Sequence, residues 1–423
     1  MPFLFMSAIV KEYTHMQNFT GKQYLKIDIA SLFGLDKKTW EERLTWFEEN
    51  KDNLESLSDK ADSPNCYIAA VNAWRDVEQG KPIGYAINLD ATASGCQILS
   101  LLMGDVKSAT RVNLVDTGKR EDLYTYIYNK MLEKAPGTSH NITRDLVKKA
   151  IMTSLYGSQK KPKEVFGENN YWLFEDVMNE ELPEVWALNK FLLKRWDPTK
   201  EVYSWVMPDN FHVDCHVINT RYYEAKLMNY DITFSKKVVE PCKEGKFLSA
   251  NLAHSVDGLI NREITIRCSF SNEYKSELKK LVNLNAIPLD YSRNYHNYPK
   301  CHSMFKTLWE RYEESGFLSA RILQYVDVEA LAYIGPNGII ALQELVDSLP
   351  EHSFEVYAIH DCFRVLPNYG DDLRQQYRVI CSQIAKSNML QNILQSMFET
   401  DKITVTKSNE LAELVLKSEY AIC

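Results

Sequence analysis

Two aspartates stand where strand-like runs stop, and the residues around them are of the kinds that handle phosphate. Gly84-Tyr-Ala-Ile-Asn-Leu-Asp90 alternates apolar Tyr85, Ile87 and Leu89 with smaller or polar residues, which predicts a half-buried strand ending at Asp90. The turn-forming Ala-Thr-Ala-Ser-Gly95 that follows leaves the carboxylate at a strand mouth. Far downstream, Phe354-Glu-Val-Tyr-Ala-Ile-His360 is a second such run, delivering Asp361 to a turn before Phe363-Arg-Val-Leu-Pro367 resumes. Side by side, two strand-tip carboxylates can hold a pair of Mg²⁺ ions roughly 3.5–4 Å apart, one activating an attacking hydroxyl and one steadying a leaving pyrophosphate. In-line phosphoryl transfer is the chemistry of that arrangement. An isolated aspartate after a strand more often caps a turn, so the reading depends on the company each one keeps.

Arg144, Lys148, Met152 and Tyr156 recur at steps of four and on a helix form one slowly drifting stripe. Val147, Ala150, Ile151, Ser154 and Leu155 fall on another face, available for burial. At about 1.5 Å per residue the stripe runs roughly 18 Å, enough to lay a nucleotide along it. The triphosphate would sit against Arg144 and Lys148, the sugar and base near Tyr156. Gly157 at the helix end permits close approach of a base or template strand. From Arg144 to Lys163 there are six basic residues against one acid, Asp145; an amphipathic helix with a solvated basic face is the plain alternative. A further segment, Ala253-His254-Ser-Val-Asp257-Gly258, supplies a histidine that would pair with Tyr156 at a ribose. Taken singly, His254 and His360 read as core or turn histidines.

Asp90-x-x-x-Ser-Gly95 followed by Gln97, Arg144-x-x-x-Lys148 with Met152-Thr-x-x-Tyr156-Gly157, His254-Ser-x-Asp257-Gly258, and His360-Asp361-Cys362-Phe363 together resemble the single-subunit DNA-directed RNA polymerases of bacteriophages and mitochondria. The similarity continues in Arg111-Val-Asn-Leu, Glu121-Asp-Leu-Tyr124, Trp205-Val-Met-Pro-Asp209-Asn-Phe211 and the closing Ser418-Glu-Tyr-Ala-Ile-Cys423. The resemblance implies an α+β fold, the palm and fingers of a right-hand polymerase, with an antiparallel palm sheet and packed helices and with the thumb and amino-terminal domain absent. It implies that Asp90 and Asp361 bind two Mg²⁺ ions, that Arg144 and Lys148 clamp the triphosphate with Tyr124 nearby, that Tyr156 and His254 sense the ribose 2′-hydroxyl, and that His360 orients Asp361 or the primer end. Related DNA polymerases, which carry a bulky acidic residue shortly after the first catalytic aspartate, are the nearest rival. Here Ala91, Thr92, Ala93, Ser94 and Gly95 are all small, so a ribose fits. A non-catalytic nucleic-acid-binding relative is the other alternative, although every expected catalytic position is filled.

Complete enzymes of this kind carry several hundred residues ahead of the palm and a Thr/Asp-x-x-Gly-Arg segment that grips the hybrid. No such segment precedes Asp90, and Thr117-Gly-Lys-Arg120 has the wrong place and spacing. The chain in this respect resembles the larger subunit of the heterodimeric RNA polymerase II of phage N4 and its relatives. The implied partners are DNA template, RNA product, ribonucleoside triphosphates, a second subunit bearing the missing parts, and a phage single-stranded-DNA-binding protein as recruiting factor. The implied location is the host bacterial cytoplasm.

Composition agrees in most respects. The chain has 423 residues, 45% hydrophobic and 12% aromatic, enough for two or three packed subdomains. Nine scattered cysteines without a Cys-x-x-Cys pair read as reduced thiols, not disulfides or a zinc site. His296-Asn-Tyr-Pro-Lys-Cys301-His302 reads as a loop without metal. No run approaches the 18 or so apolar residues of a membrane span, and Met1-Pro-Phe-Leu-Phe-Met lacks the basic leader of a signal peptide, reading instead as a buried strand or a partner contact. The net charge of −8 is unusual for a free-standing nucleic-acid binder. Local basic stretches, from Arg144 to Lys163 and at Lys236, Lys237, Lys243 and Lys246, would have to make the channel, with recruitment left to other proteins.

These motifs divide the chain into a first palm part at 1–118, fingers at 119–254 and a second palm part at 255–423 ending in a carboxy-terminal foot. Lys37-Lys-Thr-Trp opens a helix, Lys51 to Ser63 forms a loop, and Val213 to Val239 alternates as a β-hairpin of the kind that enters promoter DNA in related enzymes. About a hundred residues separate His254 from His360, several times the usual gap in the compact phage enzymes that the chain resembles, and the resemblance thereby implies an insertion at about 262–323. Its Lys279-Lys280 and its Tyr291 to Tyr298 run either stack on template or form a solvated lobe.

Overall fold

The computed structural model describes residues 16–135, 142–168, 170–228, 230–243, 245, 247–283 and 301–423. The expected contacts of Met1 to Met6, of Lys246 and of the Tyr291 to Tyr298 run, together with residues 296–300 of the histidine-cysteine loop, lie outside the described residues.

Helices and small antiparallel sheets make an α+β fold, and its centre is a three-stranded sheet in the order β1-β7-β6, with β1 at Ile87–Asp90, β6 at Tyr357–Ile359 and β7 at Cys362–Val365. Alternation sets its two faces. The opposed pairs Ile87 with Val365 and Leu89 with Phe363 point into the core, each about 1% exposed, so Asn88, Asp90, Cys362 and Arg364 emerge on the other face. Behind the sheet the buried Asp28 carboxylate accepts hydrogen bonds from Asn88 N (3.1 Å) and Tyr85 Oη (2.7 Å), fixing the register of β1 against the Gly21–Ala30 helix.

The helix Ser94–Met103 follows β1, and its mostly apolar run, Cys-Gln-Ile-Leu-Ser-Leu-Leu, is buried all round. Its one amide is satisfied throughout: Gln97 Nε2 donates to Val112 O (2.7 Å) and Ala421 O (3.0 Å), and Gln97 Oε1 accepts from Tyr377 Oη (2.8 Å). The Leu248–Ser269 and Gly370–Lys386 helices pack against it. Residues Tyr420 to Cys423 dock beside β1. Tyr420 stacks on Trp40 (centroids 5.2 Å apart), Ile422 bridges Ala91, and Cys423 exchanges backbone hydrogen bonds with Asp90, N to O 3.0 Å and O from N 3.4 Å.

Some elements differ from the sequence expectations. The strands around the aspartates are shorter than the alternation suggested, β1 starting at Ile87 and β6 at Tyr357. The stretch from Val213 to Val239 is not one hairpin. β2 (Val202–Val206) pairs with β3 (His212–His216), and a separate long hairpin pairs β4 (Ile218–Leu227) with β5 (Tyr230–Val239). Between them the buried Val217 donates to Glu201 O and accepts from Glu240 N, a junction that alternation alone does not reveal. The polar stretch after Lys51 contains a 3₁₀ turn, Leu54–Lys60.

A second core, distinct from the main one, is built from residues between Phe270 and Val346 and includes Phe305, Trp309, Leu323 and Leu342. It extends beyond the 262–323 span, and residues 262–269 belong to the long helix that also serves the main core. The lobe leaves and rejoins the body at one place, where Phe354 N donates to Cys268 O at 2.9 Å. Buried polar contacts seal the junction: Glu263 accepts from Ser319 Oγ and from Ala320 N (2.9 Å), and Arg267 donates to Gln376 Oε1 (2.7 Å) and Ser348 Oγ (2.5 Å). Among the described residues no helix is long and apolar enough to cross a membrane, and the nine cysteines lie outside disulfides.

Candidate active site

Four segments far apart in sequence meet in one cleft of about 510 Å³. Asp90, at the end of β1, lies beside the turn that carries Asp361. β6 and β7 pair Ile359 with Cys362, so His360 and Asp361 are the two residues of a tight hairpin turn, and Ala91 N donates to Asp361 O at 3.2 Å. His360 adopts φ +57°, the left-handed conformation that such a turn requires and that costs a side-chain-bearing residue roughly 1 kcal/mol or more. Asp90 opens to the cleft, yet the protein around it, and next the Asp361 charge, push its carboxyl up to about 6.

The opposite wall is the helix Arg144–Leu155, started by Thr143, whose hydroxyl accepts from Leu146 N, and buried through Val147, Ala150, Ile151, Ser154 and Leu155. Its other face delivers Arg144, Lys148 and Met152 to the cleft, and Tyr156 caps its end. Gly157, at φ +86°, turns the chain away and does not line the cleft. Ser249 Oγ donates to Leu155 O (2.5 Å), tying the Leu248–Ser269 helix to this end and bringing the His254 ring to 5.4 Å from that of Tyr156. Burial, then the Asp361 and Asp257 charges, raise the Tyr156 phenol above its ordinary range. Tyr124, near the start of the helix Leu123–Lys134, lies under both cations, with Arg144 Cζ 5.6 Å and Lys148 Nζ 5.5 Å from its ring.

The cleft thus gathers Asp90, Asp361, Arg144, Lys148, Tyr124, Tyr156, His254 and His360, leaving out only Gly157 of the residues singled out in the sequence. It also contains side chains to which the sequence reading gave no role: Asp36, Lys37, Arg120, Asp122 and Asp257. Arg120 donates to Cys423 Sγ (3.0 Å) and Thr92 Oγ1 (3.3 Å), joining the carboxy-terminal segment to the turn after Asp90. Asp122 carried a usable signal as the N-cap residue just before a helix, and Asp257 as a member of the His254-Ser-x-Asp257-Gly258 motif.

The donor set suits Mg²⁺. Two neighbouring carboxylates are present, and among the described residues no group of three or more His, Cys, Asp or Glu side chains is arranged to hold a metal. Mg²⁺ takes one or two protein carboxylates and keeps water and substrate phosphate as its remaining ligands.

Residues 16–164 match the family described as DNA-dependent RNA polymerase. The chain is 31% identical over 164 residues to a probable DNA-directed RNA polymerase of Neurospora crassa, covering 34% of this chain and 18% of that protein. It is 24% identical over 300 residues to the DNA-directed RNA polymerase of Pseudomonas phage phiKMV, covering 56% and 37%, and 30% identical over 172 residues to the mitochondrial DNA-directed RNA polymerase 1 of Arabidopsis thaliana, covering 33% and 18%. The matched segments therefore span between 18% and 37% of the length of these relatives. Over these segments the chain is similar to DNA-directed RNA polymerases.

Proposed function

We propose that this chain carries the palm and fingers of a DNA-directed RNA polymerase and transfers ribonucleoside monophosphates to an RNA 3′-hydroxyl on a DNA template. The observation that carries this reading is the convergence of Asp90, at the end of β1, and Asp361, in the turn leading into the paired β7, with Arg144, Lys148, Tyr156 and His254 in one cleft. Mg²⁺ bound by Asp90 and Asp361 would neutralise the charge that develops at the attacking and leaving oxygens. Arg144 and Lys148 bind the triphosphate, supported by the Tyr124 ring. Tyr156 and His254, ring against ring, present polar atoms to the ribose 2′-hydroxyl, and the small residues from Ala91 to Gly95 leave room for it. His360 holds the turn that aims Asp361.

The thumb and the hybrid-gripping Thr/Asp-x-x-Gly-Arg segment would come from outside these 423 residues, in our reading from a second subunit, with a single-stranded-DNA-binding protein recruiting the assembly in a phage-infected bacterial cytoplasm. Asp90→Asn or Asp361→Asn in the assembled enzyme is expected to abolish RNA synthesis on a primed template while leaving the protein folded, because each removes several kcal/mol of transition-state stabilisation. Near-normal elongation by either variant would show that this cleft is not the catalytic one.

A further inference from the structure

Arg144 does not stand free in the cleft. Asp122 Oδ2 accepts hydrogen bonds from its Nη2 (2.7 Å) and Nε (2.9 Å), and Thr125 Oγ1 accepts a second from Nε (3.0 Å). One edge of the guanidinium is therefore occupied. Its Nη1 comes no closer than 3.6 Å to Asp145 Oδ1, outside hydrogen-bond range, so the Nη1–Nη2 edge keeps its protons for another acceptor. The same Asp122 carboxylate caps the Leu123–Lys134 helix through Oδ1, accepting from Tyr124 N (3.1 Å) and Thr125 N (3.4 Å). One side chain thus sets both the cation and the ring beneath it.

Position along the helix says which phosphate that cation meets. Arg144 is the member of the stripe furthest from Tyr156, one turn or roughly 6 Å beyond Lys148. A nucleotide seated with its sugar between Tyr156 and His254 reaches Lys148 with its inner phosphates and Arg144 only with a third.

We propose that Asp122 is a positioning residue that makes the site selective for triphosphates over diphosphates, by fixing one edge of Arg144 so that the other faces the terminal phosphate. This rests on the nucleotide-binding reading of the cleft. The carboxylate serves as anchor and not as competitor, because the edge it holds is not the edge the phosphate uses.

The test is equilibrium binding of ATP and of ADP, each with Mg²⁺, to the purified chain and to its Asp122→Asn, Arg144→Ala and doubly substituted variants. Asparagine caps helices about as well as aspartate, so the helix start survives, and retained ADP binding reports an intact cleft. Asp122→Asn is expected to weaken ATP binding about tenfold and ADP binding less than twofold, and in the Arg144→Ala background to change ATP binding less than twofold. Equal losses for the two nucleotides, additive losses in the double variant, or unchanged or tighter ATP binding would overturn the proposal while leaving the polymerase reading in place. A wild-type chain that binds neither nucleotide would overturn both.

Discussion

Gly95 lies close against the Tyr156 ring in the cleft, and adding a single methyl group there tests the whole arrangement. A Cβ at this position would lie 3.1 Å from Tyr156 Oη, 3.3 Å from its Cε1 and 3.4 Å from its Cζ. Carbon contacts settle near 3.5–4.0 Å, so the ring must retreat by a few tenths of an ångström. Two effects on stability oppose each other. Alanine in a helix position removes unfolded-state freedom worth roughly 0.5–1 kcal/mol, while overpacking costs about 1–3 kcal/mol when nothing gives. Tyr156 sits half-buried at a helix end with an open cleft on one side, so it can give, and the net change is expected to stay within about 1 kcal/mol, a melting shift of a few degrees. Catalysis has no such slack. A misplacement of about 1 Å costs on the order of a hundredfold, so a few tenths should lower kcat/KM for ribonucleotides roughly tenfold and narrow the preference for ribose over deoxyribose. Thermal melts alongside single-nucleotide incorporation with ribo- and deoxyribonucleotides separate the two effects. A Gly95→Ala enzyme with wild-type rate and selectivity would refute the placement of Tyr156 at the sugar, as would a loss of rate no larger than the loss of folded protein.

Tyr156→Phe keeps the ring and removes the hydroxyl, so nucleotide binding should persist while discrimination against deoxynucleotides relaxes; unchanged selectivity in mixed-nucleotide assays would move the sensor to His254. Asp90 has a folded-state pKa of about 6 against an ordinary 3.8, so its ionisation opposes folding: the stability provided by the neutral carboxyl is complete below about pH 4 and is lost as pH rises through 6. Without Mg²⁺, Asp90→Asn should therefore melt higher than wild type at pH 7.5, by no more than about 1 kcal/mol because the carboxylate opens to water, and the gap should close near pH 4. Equal melting at both pH values would refute that coupling. Purified on its own, the chain should not extend a primer processively, and adding the proposed second subunit should restore extension; processive synthesis by the chain alone would remove the need for that partner.

The site was legible where chemistry is written locally. Asp90 and Asp361 each end an alternating run, and the buried and cleft faces of Arg144–Leu155 are those its spacing dictates. What the sequence could not disclose comes from the far sides of turns. Asp36 and Lys37 reach the cleft because Gly34, at φ +126°, redirects the chain just before them. Arg120 matters through Thr92 and a cysteine some three hundred residues away. The strands looked longer than they are because Gly84 to Ala86 and Phe354 to Val356 share their alternating pattern without a partner strand to pair with. The boundary of the helical lobe was likewise invisible, since one uninterrupted helix, Leu248–Ser269, serves both cores.

The two ends of that lobe meet where Phe354 N donates to Cys268 O, a few residues before the strand that leads into the His360-Asp361 turn. With its two ends held together there and by the Glu263 and Arg267 contacts, changes confined to the far side of the lobe need not alter the path by which Asp361 reaches Asp90. Separation of this kind leaves one part of the chain free to drift under selection for new surroundings while Asp90 and Asp361 stay in register. The same joint offers an engineer a place to graft a foreign domain while keeping the cleft intact.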